Sequence, residues 1–318
     1  MNLFRTTNLE SRLSRRESQR PAVSKRNSRG NVARMSLALA VALTWLAALP
    51  GQYSNAQDAQ VTRPNPIAPS AIASSDPSTP ARPASYRNAA KPTGSWMAIT
   101  HIYQGDHPAP VDTHHVVYEN GSYYDFSDDE SQPWTIFDLP SSRVILLDRK
   151  RQLRTSVPTK DLIQLAARAE AEITDPTDRG RYGMDAVPSR TSDGQFSVSY
   201  ADTVYRVTGI RPEMPGLAVE YGRFVDWACR LNVARPRGVP PFARMKLNAV
   251  MTSAKLLPAE TAVTLTRHIG ADRTPAKIRL RSTTTIDRQL TDAMTQRIND
   301  AKSMRVLFQE IPWDQYEH

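Results

Sequence analysis

Four of the six histidines, His101, His107, His114 and His115, cluster in sequence with Asp106 and Asp112. Imidazole and carboxylate hold zinc and related metals, and neighbouring strands would bring such groups together. The spacing argues against it. His114 and His115 are adjacent, and on a strand adjacent side chains point to opposite faces. No H-E-x-x-H pattern sets two ligands on one surface, so the histidines read as hydrogen-bonded or solvated groups and no metal is expected. The run Asp125-Phe126-Ser127-Asp128-Asp129-Glu130 is rich in oxygen ligands but lacks the spaced ligands and central glycine of a calcium loop. It reads as a solvated turn. Asp138 and Asp148, each at a strand end, are the carboxylate pair that an acid–base hydrolase would enlist, although β-rich domains supply such pairs routinely.

The G-x-S-x-G, P-loop and G-x-G-x-x-G patterns are all absent from the sequence, and no cofactor is expected. Cys229 is the only cysteine, which excludes an intramolecular disulfide. Within Trp227-Ala228-Cys229-Arg230 it reads as a packed thiol on a helix rather than a nucleophile. A domain without disulfides depends on its core, and residues 95–318 are numerous enough to build one.

The elements that would position these groups come in two textures. From 95 to 157 short alternating segments are separated by turns: 95–104, 113–118, 123–126, 134–139, 143–148 and 153–157. Asn120-Gly121 is the strongest hairpin signal among them. This predicts a meander of five or six antiparallel strands. At Pro158 the period changes. Leu162, Leu165, Ala166, Ala169 and Ile173 recur at helical spacing over 160–173, with Thr159 available as N-cap. A polar excursion covers 174–193, and strands follow over 196–200 and 204–208.

Leu217, Tyr221, Phe224, Ala228 and Leu231 mark a second helix, and Phe242, Met245, Ala249 and Leu256 a third opened by Pro240-Pro241. Strands over 261–269 and 277–283 precede a last helix carrying Ile286, Leu290, Met294, Ile298 and Ala301. The fold class predicted is α+β: a mostly antiparallel sheet, curved as in a half-barrel, covered on one face by three to four helices. On the second helix Phe224, Trp227 and Leu231 lie three or four residues apart and share one stripe. If that helix lids the sheet, Trp227, Phe224 and Tyr221 are the expected ligand-facing side chains.

The run Gly121-Ser122-Tyr123-Tyr124-Asp125, with Thr135-Ile136-Phe137-Asp138, Arg143-Val144-Ile145-Leu146-Leu147-Asp148 and Arg154-Thr155, resembles uncharacterised exported bacterial proteins. Phe224-Val225-Asp226-Trp227, Arg230-Leu231-Asn232 and Pro240-Pro241-Phe242-Ala243-Arg244 are similar to their second halves. The strand rhythm over 110–310 also resembles the lipoprotein-localisation carriers, the LolA- and LolB-like proteins. That resemblance implies an incomplete β-barrel whose apolar concave face is lidded by helices and holds acyl chains. It transfers no functional residue, and fold analogy alone does not license function.

The chain has 318 residues with 41 Lys and Arg against 32 Asp and Glu, a net charge of +9. The excess is in the leader: residues 1–34 hold nine basic and two acidic residues, whereas 95–318 balances to zero. Nucleic-acid binding by the folded part is therefore not expected. The uncharged apolar run over 36–49 is too short to span a bilayer comfortably but suits a signal-peptide core, and Ser54-Asn55-Ala56 supplies small residues for cleavage. Residues 1–56 thus read as a signal peptide with a long basic n-region, and the protein as periplasmic or extracellular. The alternative is an inner-membrane anchor formed by 35–50. Residues 57–94 contain seven prolines among small polar residues and read as a disordered linker, followed by one globular domain over 95–318.

Within that domain, 95–142 carries eight acidic and no basic residues, and 206–288 carries fifteen basic against six acidic. Either the two regions neutralise each other in the fold, or the surface is polarised toward an anionic envelope component. The expected function is an exported, non-enzymatic envelope protein that binds an apolar or amphiphilic ligand, or a protein partner, on a helix-lidded sheet. The mature chain should have no integral membrane span. The alternative is a secreted hydrolase acting on an envelope or extracellular polymer.

Overall fold

Short β-forming segments divided by tight polar turns build the first half of the domain strand by strand. β1 (Trp96–Gln104), β2 (Asp112–Glu119), β3 (Ser122–Ser127), β4 (Trp134–Asp138), β5 (Arg143–Asp148) and β6 (Leu153–Pro158) form an antiparallel meander. Asn120 and Gly121, with φ of 51° and 84°, close the β2–β3 hairpin, a turn that needs two left-handed residues. The structure is a computed structural model that describes residues 94–236, 238–269 and 274–316. The leader over 1–56 and, apart from Gly94, the linker over 57–94 lie outside the described residues.

Helices α1 (Thr159–Glu172) and α2 (Pro176–Tyr182) follow. Pro158 rather than Thr159 is the N-cap of α1; the Thr159 hydroxyl donates to the Ser142 carbonyl at 3.3 Å instead. Asp175 caps α2 by accepting from the Thr177 and Asp178 amides, with Pro176 in the first turn. The remaining strands are β7 (Ser189–Arg190), β8 (Phe196–Tyr200), β9 (Thr203–Ile210), β10 (Leu257–Ile269), β11 (Thr274–Asp287) and β12 (Gln309–Glu310). Between them come α3 (Leu217–Ala234), α4 (Phe242–Ser253) and α5 (Asp292–Leu307), and α6 (Trp313–Tyr316) follows β12.

Among the described residues all twelve strands join one unclosed curved sheet in the order β12-β6-β5-β4-β3-β2-β1-β11-β10-β9-β8-β7. Every pairing is antiparallel except β12 with β6. The fold is thus α+β with a mostly antiparallel sheet, as the sequence leads one to expect. The central seam is the pairing of β1 with β11, which joins the first meander to the second half.

One face of the sheet packs against α1, α3 and α4 in two apolar clusters. The first gathers Trp96, Tyr123, Phe137, Val144 and Leu146 from β1–β5 against Leu162 of α1 and Phe224, Ala228 and Leu231 of α3. The second gathers Val198, Tyr205, Val207, Val263 and Leu280 against Ala243, Leu247 and Met251 of α4. The opposite face carries a third cluster, in which Met294, Ile298 and Ala301 of α5 cover Met97, Val117, Phe126, Trp134 and Ile145.

Helix α5 is also tied down by charge. Lys302 reaches Glu119 at 2.8 Å, Arg297 reaches Asp128 at 2.9 Å and Arg305 reaches Asp138 at 2.6 Å. These acids of the 95–142 stretch are met by α5, and not by the basic 206–288 region. On the side of β9–β11 turned from the second cluster, Arg206, Lys277, Arg279 and Arg281 stand exposed. Among the described residues no helix is long and apolar enough to cross a membrane.

Candidate functional site

Helices α3 and α4 are inserted between two strands that are neighbours in the sheet. Ile210, at the end of β9, is the register partner of Leu257, at the start of β10. The chain leaves and re-enters the sheet at one spot, and hydrogen bonds from Tyr123 of β3 to Glu220 and from Tyr200 of β8 to the Pro240 carbonyl tie the inserted segment down elsewhere. Each attachment holds a left-handed residue: Gly216 at φ 81°, the N-cap of α3, and Lys255 at φ 58°, just after α4. Neither α3 nor α4 has a side-chain cap at its N-terminus.

The two helices are also bound to each other. The Gly222 Cα of α3 sits against Thr252 of α4 so tightly that a Cβ there would lie 2.3 Å from the threonine Oγ1. Asn248 donates from Nδ2 to the Gly222 carbonyl and to Asp226 Oδ1, both at 2.8 Å. Asn232 donates to the Val239 carbonyl at 3.1 Å, fastening the connecting loop. The pair can therefore act as one body.

Beneath it the sheet is not uniformly apolar. Register places Thr100 between Thr284 and His114, His114 opposite Ser127, and Asp125 opposite Thr135. Ser282 and Thr261 continue the line across β11 and β10. All are buried. A polar band thus crosses the helix-facing side of the sheet between the clusters under α3 and under α4.

Its acidic end is an Asp–His–Asp clamp. His114 Nδ1 lies 2.8 Å from Asp125 Oδ1, and Nε2 lies 3.1 Å from Asp112 Oδ2, within ion-pairing reach though not aligned as a regular hydrogen bond. Burial alone would push the imidazole toward neutrality. The charge of Asp125 and the contacts to both carboxylates outweigh it and hold the ring protonated, with its pKa raised to about 10. Asp112 is pushed up by burial, yet His114, the Ser127 hydroxyl and the Thr113 amide bring it below the ordinary carboxylate range. Both ring nitrogens are engaged, and the carboxylates sit on opposite sides of the ring. The clamp is therefore neither a metal-ligand set nor a nucleophile–base pair. Ser127 donates to Asp112 Oδ2 at 3.0 Å, the same oxygen that faces His114 Nε2, so its hydroxyl hydrogen goes to the carboxylate and the protonated ring offers it no base. Among the described residues no group of three or more His, Cys, Asp or Glu side chains is arranged to hold a metal ion.

The other histidines are dispersed. His115 points to the opposite face, with Nε2 3.4 Å from Asp128 Oδ2. His101 meets Thr113 at 3.1 Å and His107 lies in an exposed loop. Asp138 is held by Arg305, and Asp148 is bound by Arg151 at 2.7 Å, so each carboxylate of the candidate hydrolytic pair already has an arginine.

Of the expected ligand-facing residues, Phe224 and Tyr221 lie under α3 against the sheet, 0% and 4% exposed. Phe224 meets Phe137 edge-on at 5.6 Å and Tyr123 at the same distance; Tyr221 meets Trp96 at 6.1 Å. Trp227 is only half-buried, at the margin of the first cluster with the Arg230 guanidinium 5.5 Å from its ring centre. The Tyr221 hydroxyl reaches the hydroxyls of Thr100 and Thr284 on the polar band, which themselves lie 3.0 Å apart. Tyr123 donates to Glu220 of α3, which also takes Arg223 at 2.8 Å.

Spacing did not mark Arg244. It is 5% exposed on α4, and its Nη1 is buried without an acceptor. It ends the run Pro240-Pro241-Phe242-Ala243-Arg244, but the stripe expected on this helix, Phe242, Met245, Ala249 and Leu256, leaves it out, whereas the face that α4 buries is Ala243, Arg244, Leu247, Asn248, Met251 and Thr252. Cys229 is fully buried nearby, and burial, opposed by Arg244, pushes its thiol up to about 12. No known protein-family model matches the chain, and no curated protein sequence matches it.

Proposed function

We propose that this protein is an exported, non-enzymatic envelope protein that holds an amphiphilic ligand between its curved sheet and the α3–α4 pair. The observation that carries the reading is the insertion of α3–α4 between the paired strand ends Ile210 and Leu257. A helical pair fastened to itself, inserted between two neighbouring strands and laid over the curved face of the sheet is the element that would swing as a lid. The polar band beneath it supports the same reading, because two apolar clusters divided by hydroxyls and charge match a molecule with both an apolar and a polar part.

Native mass spectrometry of the full-length chain purified from bacterial envelopes tests this. The expected spectrum contains, beside the bare chain, a species heavier by the mass of one amphiphile, which is lost on denaturation. A spectrum of bare protein only, with no uptake of added dodecyl amphiphiles, overturns the proposal.

A further inference from the structure

Arg244 stands where the two apolar clusters meet. Ala243 belongs to the cluster under α4, and Met245 packs against the cluster under α3. The guanidinium acts electrostatically on Tyr205 of β9 and on Tyr221 and Cys229 of α3, all uncharged at neutral pH. Asp226, the acid that shares Cys229 as a neighbour, is bound by Asn248 at 2.8 Å and lies 3.9 Å from Arg230. Among the described residues no carboxylate lies within ion-pairing distance of Arg244. A cation taken out of water without a counter-charge is among the costliest arrangements in a protein interior. Glu220 and Asp226 on the same lid are both matched, which makes the mismatch at Arg244 specific.

We propose that Arg244 seats the acidic head of the amphiphile held beneath α3–α4, a carboxylate or a phosphate monoester bearing an alkyl or acyl chain. This rests on the lid reading above. The planar guanidinium fork matches two oxygens of such a head. Tyr221, whose hydroxyl is already on the polar band, stands beside the same point, and the chain then runs along either apolar cluster. Neutral amphiphiles leave the charge uncompensated and are bound less tightly.

The test titrates full-length, delipidated protein with dodecanoate, dodecyl phosphate, dodecanol and inorganic phosphate by calorimetry, for wild type, R244M and R244K. Thermal melts first establish that each is folded. The expected result is a preference of wild type for the two acidic amphiphiles over dodecanol by at least ~10-fold, as for a desolvated charge-assisted contact. The preference should vanish in R244M. Equal binding of all three amphiphiles by wild type and R244M overturns the head seat and leaves the lid reading standing. Failure of wild type to take up any amphiphile overturns both. Inorganic phosphate bound as tightly as dodecyl phosphate reduces the site to one for a bare anion and overturns the amphiphile class. If R244M does not fold, R244K decides. A point charge without the fork should lose several-fold of the preference, and an unchanged preference overturns the proposal.

Discussion

His114 Nδ1 lies 2.8 Å from Asp125 Oδ1 across the β2–β3 pairing, and the ring is held between that carboxylate and Asp112. A histidine whose pKa is raised on folding, here to about 10, stabilises the fold fully below its unfolded value near 6.5 and loses that contribution as pH rises toward 10. Stability should therefore fall between pH 6.5 and 9.5, by an amount on the order of a few kcal/mol at most. His115, lowered by burial, acts only below that window and with opposite sign. Urea melts across the window should show this slope, and H114Q should abolish it whatever its own stability. A wild-type profile that is flat from 6.5 to 9.5 would show that the ring is not held as imidazolium.

Cys229 gives a simpler expectation. The thiol is fully buried and pushed up to about 12, so thiolate is scarce at neutral pH. Ellman's reagent should leave native protein unlabelled over hours and label one thiol per chain on addition of guanidinium. Because the thiol is on the buried face of α3, slow native labelling that dodecanoate suppresses would report the opening proposed for α3–α4. Prompt native labelling would contradict the packing.

The meander was legible because its short segments are divided by clear turns, although β3, β4 and β5 are buried on both faces, and Asn120-Gly121 could close only one kind of hairpin. The ends of β10 and β11 were less so. Thr261, Ser282 and Thr284 are buried although hydroxylic, so their alternation with outward Arg279 and Arg281 looks polar on both sides. Ile286, which continues the apolar rhythm of the last helix, belongs to β11; Thr291 caps α5 only afterwards. The polar band and Arg244 were illegible for the same reason, since a buried polar residue and a solvated one are the same letter. What distinguishes them is register across six strands, which no local window contains.

Phe224 and Trp227 separate core from margin on one helix. Phe224 is fully buried and edge-on to Phe137, so F224A should cost ~3–5 kcal/mol. Trp227 is half-buried, and W227A should cost about 1–2 kcal/mol, nearer the average for single substitutions. Chemical denaturation of both variants checks the order. A larger loss for W227A would mean that α3 is rotated relative to the sheet.

Gly222 tests the unity of the lid. In a helix interior alanine is intrinsically better than glycine by up to ~1 kcal/mol, so propensity alone predicts that G222A stabilises. Packing predicts the reverse, because the new methyl would meet Thr252 Oγ1 at 2.3 Å and also crowd its Cγ2 at 3.3 Å. Overpacking of this kind costs ~1–3 kcal/mol, and it should win because Thr252 is itself buried and has little room to turn. G222A is thus expected to lower stability by about 1–2 kcal/mol net. The companion T252A removes both crowding atoms. In the double variant the G222A penalty should disappear, giving a favourable coupling of at least ~1 kcal/mol. Additive losses would place the strain elsewhere and remove the close α3–α4 contact from the argument that the two helices move as one body.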